Sequence, residues 1–358
     1  MKSKLIYGIQ QIGLGVDNVD QAFEWYATRL GFDVPVFDDD SEATHMSAYM
    51  GGIPHEKRAV FALNMHGGSG IEIWQYLDKK PLKSAAEILV GDLGINSVFI
   101  KSKQIDTTFN RLSDLGENII TPIQIEPGGK KSFYLKDPYD NLLKVKECDS
   151  WFDTKDIDTG GIFGCSIGVS NIEAAQQLYS DILGYDHVIS DKTDHFDDLQ
   201  LLPNGDSKFR RVLLSHSQER KGGFSDLLGF SEIELVQNIT QVPNKIFKDR
   251  FWGDLGFIHL AFDVYNIKAL MQECEDKGNP FTIKSPDSFE MGDTHAQWGY
   301  LEDMDGTLIE FVETHSIPIY KPLGLKINLK KRNPVKPLPG WMIKSLNLKR
   351  IKKFKPKK

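Results

Sequence analysis

Two residues with metal-binding side chains lie in apolar segments that alternate with the period of a β-strand. His259 lies in GDLGFIHLAFDV, residues 253–264, and Glu310 lies in GTLIEFVE, residues 306–313. Because successive side chains of a strand point to opposite faces, each segment should direct its polar side chain out of one face of a sheet, into a concave interior. An imidazole and a carboxylate are both ligands of divalent metals. The two segments therefore predict the beginning of a metal site.

The composition is that of an ordinary soluble protein. The chain has 358 residues, of which 40% are hydrophobic and 26% are charged, enough for two domains with substantial apolar cores. No apolar run is long enough to cross a bilayer, and the N-terminal segment has no signal-peptide cleavage site, so we expect a cytoplasmic protein. The three cysteines, Cys148, Cys165 and Cys274, are far apart and have no C-x-x-C spacing, which predicts free, buried thiols.

The net charge of −7 conceals a strong asymmetry along the chain. Residues 321–358 contain 14 Lys or Arg and no acidic residue, whereas the preceding 320 residues contain 29 basic and 50 acidic residues. The acidic body argues against a nucleic-acid partner. In the tail, Ile343, Leu346, Ile351 and Phe354 approximate one apolar face of a basic amphipathic helix. Such a helix could contact an anionic membrane surface or an acidic partner, but we favour docking of its first part on the acidic body.

An internal repeat divides the rest of the chain into halves. NVDQAFEWYATRLG at residues 18–31 is echoed by NIEAAQQLYSDILG at residues 171–184, and GDLG occurs at both 91–94 and 253–256. Each half also looks doubled, with strand, helix and strands occurring twice, and the helices are expected near residues 20–30, 105–115, 173–183 and 267–277. The repeat predicts an α+β fold of four βαβββ modules. We expect domains at residues 1–150 and 151–320, followed by the tail at 321–358.

The pattern resembles the vicinal oxygen chelate superfamily, which includes glyoxalase I and the extradiol dioxygenases. The resemblance is carried by VDNV, FEWY and LGF within residues 16–32, the same cadence at residues 169–185, and DPYDNL and DMDGTLIE near the ends of the halves. It covers about residues 4–316 and implies tandem cupped, mixed sheets. It does not specify a reaction, because this fold supports several chemistries and also proteins that only bind small molecules.

The resemblance implies metal ligands on the first and last strands of each module. In the first half these positions hold Gln11, Glu72, Ser97 and Lys144. A lysine ammonium is a poor neighbour for a metal ion, so this half should bind no metal. Lys144 could instead form an ion pair with Glu72 across the cavity, although both side chains could equally point elsewhere.

In the second half the corresponding positions hold Gly164, Glu234, His259 and Glu310. Two carboxylates and one imidazole suit Fe, Mn, Ni or Zn, and the gap at Gly164 would be left for water or substrate. We therefore predict a divalent metal site at Glu234, His259 and Glu310. The alternative is that the glutamates face solvent and the histidine is an ordinary core residue.

A metal at this position would suit a glyoxalase or epimerase type of reaction. A small substrate with adjacent oxygens would chelate the ion, which stabilises an enediolate, while Glu234 or Glu310 moves the proton. His295 and Gln297 alternate ahead of the last strand and are candidate pocket residues together with Gly164. Two alternatives remain: a protein that binds small molecules without catalysis, and an extradiol-type Fe(II) dioxygenase, whose two-histidine ligand set this half lacks. The oligomeric state is left open.

Overall fold

The computed structural model describes residues 3–155, 158–287, 289–291, 294–320 and 325–354, which fold as four βαβββ modules followed by a tail. The first module comprises β1 (Leu5–Gly15), α1 (Val19–Leu30), β2 (Val34–Glu42), β3 (Glu56–Leu63) and β4 (Gly70–Tyr76). The second comprises β5 (Gly94–Ser102), α2 (Ile105–Asp114), β6 (Asn118–Ile119), β7 (Gln124–Ile125), β8 (Lys131–Lys136) and β9 (Leu142–Glu147).

The other two modules repeat this order. The third comprises β10 (Thr159–Gly168), α3 (Ile172–Tyr179), β11 (His187–Asp194), β12 (Phe209–Ser215), α4 (Ser225–Leu228) and β13 (Glu232–Asn238). The fourth comprises β14 (Gly256–Tyr265), α5 (Ile267–Asp276), β15 (Ile283–Lys284), β16 (Phe289–Met291), β17 (Thr294–Glu302) and β18 (Leu308–Tyr320). The tail contributes β19 (Leu325–Asn328) and α6 (Gly340–Lys344). The predicted α+β class and module order are confirmed.

Equivalent capping residues begin the first helix of each half. The Asn18 side chain accepts a hydrogen bond of 3.0 Å from the backbone N–H of Gln21, and Asn171 accepts one of 2.8 Å from Ala174. These bonds satisfy backbone donors that the first helical turn leaves free. The sequence echo at residues 18 and 171 therefore reflects the same local structure.

The modules combine into two mixed sheets, and this pairing crosses the halves of the sequence. The first sheet joins the first and fourth modules in the order β15-β17-β18-β14-β1-β4-β3-β2, and the second joins the middle modules in the order β11-β12-β13-β10-β5-β9-β8-β6. β1 pairs antiparallel with β14, and β10 pairs antiparallel with β5. The boundary near residue 150 stays a prediction about the repeat, because the sheets do not follow it.

One face of each sheet packs into a shared apolar core. Residues with no exposed surface from all four modules belong to this core, among them Ile12, Ile71, Ile100, Ile167 and Leu260. The alternate residues of the central strands point to the opposite face, which curls into a cup. We call the cup of the first sheet the first cup and that of the second sheet the second cup.

The basic tail packs on the body, as favoured from the sequence. β19 pairs antiparallel with β18. Leu338 and Ile343 are 1% and 2% exposed within an apolar cluster, and the Phe354 ring packs edge-on against Phe23 at 5.3 Å. Among the described residues, no helix has the length and apolar character needed to cross a membrane.

The helix in the tail is shorter than its sequence pattern predicts. α6 ends at Lys344 and continues only as a 3₁₀ turn as far as Lys349. The backbone N–H of Ile351 then donates to the carbonyl oxygen of Asp33 at 2.9 Å. Because this N–H bonds to the body of the protein, it does not continue a helix.

Candidate metal centre

Four polar side chains meet on the central strands of the first sheet. Gln11 lies on β1, Glu72 on β4, His259 on β14 and Glu310 on β18, and these strands are consecutive neighbours in the sheet. Gly13 lies opposite His259 on β1, and a Cβ atom there would lie 2.3 Å from the imidazole ring. A glycine at this position therefore leaves the space that the histidine ring occupies.

The four side chains are close enough to bind one ion. Single ligand atoms of Glu72, His259 and Glu310 all lie within 4.8 Å of one another. Nε2 of Gln11 donates to Oε2 of Glu72 at 3.0 Å and to Oε2 of Glu310 at 3.2 Å. All four residues are buried, and His259 is completely so. The amide, the imidazole and the two carboxylates thus converge on one point of the first cup.

The hydrogen bonding of His259 tests whether the group suits a metal. Nε2 lies 3.1 Å from Oε2 of Glu310 and 3.4 Å from Oε2 of Glu72, but neither contact has the geometry of a hydrogen bond. Within the described residues, both ring nitrogens therefore lack a hydrogen-bond partner. Buried polar groups are normally satisfied, and a metal ion would occupy an imidazole nitrogen. One imidazole and two carboxylates fit a divalent cation such as Fe, Mn, Ni or Zn. The Gln11 amide would add its oxygen as a further ligand if it rotated its Nε2 away from the carboxylates.

The charges of Glu72, His259 and Glu310 also favour a bound cation. Burial raises the pKa of Glu72 to about 7; the positive charge of His259 opposes this rise, and the neighbouring Glu310 adds to it. Burial lowers the pKa of His259, but the carboxylates of Glu310 and Glu72 outweigh burial and raise it. Two buried carboxylates with oxygens within 4.8 Å of each other repel when both are ionised, and a divalent cation would remove that repulsion.

The structure brings His259 and Glu310 together, as predicted, but not Glu234, so the predicted ligand set is wrong in that residue. Glu234 lies on β13 in the second sheet, where its Oε1 accepts hydrogen bonds from Nε and Nη2 of Arg211 at 3.0 and 2.7 Å. Glu72 takes its place beside His259, because the fourth module shares a sheet with the first module. The role of these residues as metal ligands stays a prediction.

The second cup holds an ionic cluster at the corresponding positions. Nζ of Lys144 donates to Glu126 at 2.6 Å, and Lys146 bridges Glu126 and Glu232. Of the two alternatives for Lys144 and Glu72, the ion pair between them does not form, because the two residues lie on different sheets. Burial would raise the pKa of Glu126, but Lys144 and Lys146 outweigh burial and lower it to about 2.

None of the three predicted pocket residues lines the first cup. Gly164 lies on β10 of the second sheet, and a Cβ atom there would lie 2.3 Å from the carbonyl oxygen of Glu232, so it leaves no gap for water or substrate. Gln297 donates to Asp287 at 3.2 Å. On β17 the cup-facing residues are Ala296, Trp298 and Tyr300, and Gln297 alternates with them. His295 lies beyond a bulge, opposite Ser316.

Aromatic residues that the sequence analysis did not select surround the candidate metal ligands. The Trp252 ring stacks on His259 with centroids 6.2 Å apart and an angle of 10°, and the Tyr300 ring meets His259 edge-on at 5.5 Å. Tyr300 is also the cross-strand partner of Glu310, and Trp74 follows Glu72 by two residues on β4. The spacing of two residues between Glu72 and Trp74 was the signal available in the sequence for one of them.

Comparisons with known proteins agree with this architecture. Two models of the Glyoxalase/Bleomycin resistance protein/Dioxygenase superfamily match the sequence, one over residues 8–145 and the other over residues 165–296. No curated protein sequence matches the chain.

Two solved structures illustrate the similarity in fold. The "putative dioxygenase" from Bacillus subtilis superposes with a TM-score of 0.58 and 14% identity, over 87% of this chain and 86% of that chain. Glyoxalase I from Zea mays superposes with a TM-score of 0.52 and 12% identity, over 87% of this chain and 92% of that chain. At these identities the likeness concerns the fold alone. From the two family matches, which together span most of its length, the chain belongs to the Glyoxalase/Bleomycin resistance protein/Dioxygenase superfamily, the vicinal oxygen chelate proteins.

Proposed function

We propose that the chain is a divalent-metal-dependent enzyme of the glyoxalase or epimerase type, a lyase or isomerase acting on a small substrate with adjacent oxygens. Its active centre would be the first cup. The observation that supports this proposal is the convergence of Gln11, Glu72, His259 and Glu310 on one buried point. Neither imidazole nitrogen has a hydrogen-bond partner among the residues that the structure describes. A purely structural ion-pair cluster would satisfy those nitrogens, as the second cup does for its own cations.

The residues of the first cup divide into two roles. Glu72, His259 and Glu310 would hold the ion, with the amide oxygen of Gln11 as a further ligand after the amide rotates. A bound divalent metal would supply Lewis acidity to two substrate oxygens. A carboxylate of Glu72 or Glu310 would accept a proton from a carbon bearing one of those oxygens and return it to the neighbouring carbon. The buried apolar walls would keep bulk water away from the transferred proton.

The ligand set suits this chemistry better than oxygen activation. Non-haem Fe(II) oxygenases commonly use two histidines and one carboxylate. The described residues of the candidate centre include one histidine and two carboxylates. We also propose a cytoplasmic location, which is supported by the three cysteines, all of them free and buried.

Metal analysis with a matched control tests the proposal. Metal-stripped protein reconstituted with Zn²⁺, Mn²⁺, Ni²⁺ or Fe²⁺ should bind one ion per chain, and His259→Ala should lose it. Ser97 occupies the position equivalent to His259 in the other sheet, so Ser97→Ala should keep the ion. A wild-type protein that binds none of these ions would overturn the proposal.

A proton-transfer assay separates the proposed activity from its alternatives. Dihydroxyacetone, a small hydroxyketone, should exchange its carbon-bound hydrogens with D₂O in the presence of metal-loaded protein, as followed by NMR. Glu310→Gln should abolish this exchange. Ligand binding that survives chelation of the metal would indicate a binding protein, and oxygen consumption with catechols would indicate a dioxygenase.

A further inference from the structure

Two tryptophans of the first cup have buried indole N–H groups that make no hydrogen bond within the described residues. Trp74 is 1% exposed and Trp252 is 7% exposed, and in the described part of the chain Nε1 of each lacks an acceptor. Elsewhere, Nε1 of Trp25 donates to Glu117 and Nε1 of Trp151 donates to the carbonyl oxygen of Cys148, both at 2.8 Å. Because a buried donor without an acceptor costs free energy, these two indoles mark a place where an acceptor is missing.

Both indoles border the candidate metal ligands. Trp74 lies two residues after Glu72 and therefore on the same face of β4. The Trp252 ring stacks on His259, and the Trp74 and Trp252 rings meet with centroids 4.7 Å apart. Nε1 of Trp252 lies near the Tyr300 hydroxyl without the geometry of a hydrogen bond. An acceptor for these donors would thus lie beside the metal position.

The repeat provides an internal comparison for the two indoles. Val236 follows Glu234 by two residues, as Trp74 follows Glu72, and Val90 precedes GDLG at 91–94, as Trp252 precedes GDLG at 253–256. The second cup, which has these valines, contains the ionic cluster around Lys144. The two tryptophans therefore occur in the cup that contains the candidate metal ligands, and valines replace them in the cup that contains the ionic cluster.

Trp252 also closes the first cup. Trp252 lies in the segment 244–254 between β13 and β14. Its backbone N–H donates to the carbonyl oxygen of Tyr49 at 3.0 Å, and its backbone carbonyl oxygen accepts from the Tyr76 hydroxyl. His259 beneath it has no exposed surface. A ligand that reaches the metal position on the side of the Trp252 ring would come to lie against both indoles.

We propose that Trp74 and Trp252 bind the substrate, each indole N–H donating to a metal-chelating oxygen of a small, flat, largely apolar molecule. This inference rests on the proposed metal centre and adds the class of ligand that the cup accepts. Flatness follows from the aromatic walls, which favour stacking or edge-on contact with a planar group. The acceptor oxygens follow from the two unsatisfied donors.

Hydroxamates provide the probe, because they chelate metals through two adjacent oxygens and differ only in their substituent. Zn²⁺-loaded protein is titrated with benzohydroxamate and acetohydroxamate by calorimetry. The wild type should bind benzohydroxamate at least about tenfold more tightly. Trp74→Phe and Trp252→Phe keep an aromatic ring but remove the donor, and each should weaken benzohydroxamate binding about tenfold, the effect of losing one hydrogen bond to a charged oxygen.

Trp298 supplies the matched control. Its ring packs edge-on against Tyr300 and His45, and its Nε1 is not among the unsatisfied buried donors. Trp298→Phe should therefore change the benzohydroxamate affinity less than twofold. Trp252→Val, which introduces the residue of the second cup, should remove the preference for the phenyl group.

The outcomes separate this inference from the metal centre itself. Each variant is first titrated with Zn²⁺ alone, so that folding and metal binding are established before the probe is added. If Zn²⁺ and both hydroxamates bind but Trp74→Phe and Trp252→Phe keep wild-type affinity, the role of the indoles is overturned while the metal centre stands. If the wild type binds no metal, both proposals fail.

Discussion

Glu72 and Glu234 are equivalent residues of the internal repeat and offer a matched pair of substitutions. Glu72 lies opposite Gly13 in the first sheet, and Glu234 lies opposite Ser166 in the second sheet, each on the last strand of its module. Glu72 faces the candidate metal centre, whereas Glu234 binds Arg211. Replacing either glutamate by Gln removes one negative charge with little change of shape. The structure predicts opposite effects of the two substitutions on stability, and a loss of metal binding for Glu72→Gln alone.

Glu72→Gln should weaken metal binding and stabilise the metal-free protein. Loss of a group that merely orients a metal ligand costs roughly 10–100-fold in affinity, so loss of the ligand itself should cost more than about 100-fold. In the metal-free protein, burial raises the pKa of Glu72 from 4.5 to about 7. The protonated Glu72 side chain therefore favours the folded state fully below pH 4.5, and this contribution is lost as the pH rises through 7 and the buried side chain ionises. The loss is about 3 kcal/mol, and Gln avoids it because it does not ionise.

Glu234→Gln should leave metal binding unchanged and destabilise the fold. Arg211 is 1% exposed and would keep its two hydrogen bonds to Asp198, at 2.6 and 3.0 Å, but would lose the charge of its second carboxylate. Removing one partner of a buried ion pair typically costs about 3–5 kcal/mol. The remaining pair with Asp198 places the expected loss at the lower end, about 3 kcal/mol.

Two measurements on the same metal-stripped preparations decide between these expectations. Calorimetric titration with Zn²⁺ reports affinity, and urea unfolding near pH 8 reports the free energy of unfolding. Glu72→Gln should lose Zn²⁺ affinity and unfold at higher urea, whereas Glu234→Gln should keep wild-type affinity and unfold at lower urea. Loss of Zn²⁺ binding by Glu234→Gln, together with wild-type affinity in Glu72→Gln, would refute the pairing of the first and fourth modules.

Three further expectations follow from other contacts. Metal affinity should rise between about pH 5.5 and 8, because protons on Glu72 and His259, whose pKa values are both raised, compete with the ion. A metal affinity that calorimetry finds to be independent of pH would contradict this. Lys144→Met should lower the free energy of unfolding by about 3 kcal/mol without changing Zn²⁺ affinity, because it breaks a buried ion pair in the second cup. A loss of Zn²⁺ affinity in this variant would count against the separation of the cups. Ile343→Ala should cost about 2–4 kcal/mol in urea unfolding, whereas Leu348→Ala, at a residue 91% exposed, should cost less than about 0.5 kcal/mol; equal effects would argue against docking of the tail.

Local sequence patterns were sufficient to predict the elements of the fold. The helices expected near residues 20–30 and 173–183 both form, and an equivalent asparagine caps each of them. Alternation placed His259 and Glu310 on strands with their side chains in a common cup, because a strand directs every second residue to one face. These features depend on neighbours within a few residues, so the sequence displays them directly.

The sequence analysis selected the residues of the candidate site but combined them wrongly. Gln11, Glu72, His259 and Glu310 were all recognised as occupying ligand positions, but each half was treated as a separate site. Within a half, each set contains an unsuitable residue, either Lys144 or Gly164. Taken from different halves, the first and fourth modules together supply an amide, an imidazole and two carboxylates. The sequence thus contained a signal that these two modules form one site, because their combination includes neither unsuitable residue.

The sequence by itself determined the four modules, their elements and the residues that each directs into a cup. Only the tertiary structure decided which modules share a sheet. The first strand of every module has a free edge that can pair with another first strand, and its local residues do not specify the partner. The choice of β14 for β1, and of β10 for β5, arises from packing between distant parts of the chain. That choice places Glu72 beside His259, and it leaves Glu234 in the other sheet, where Arg211 of its own module binds it.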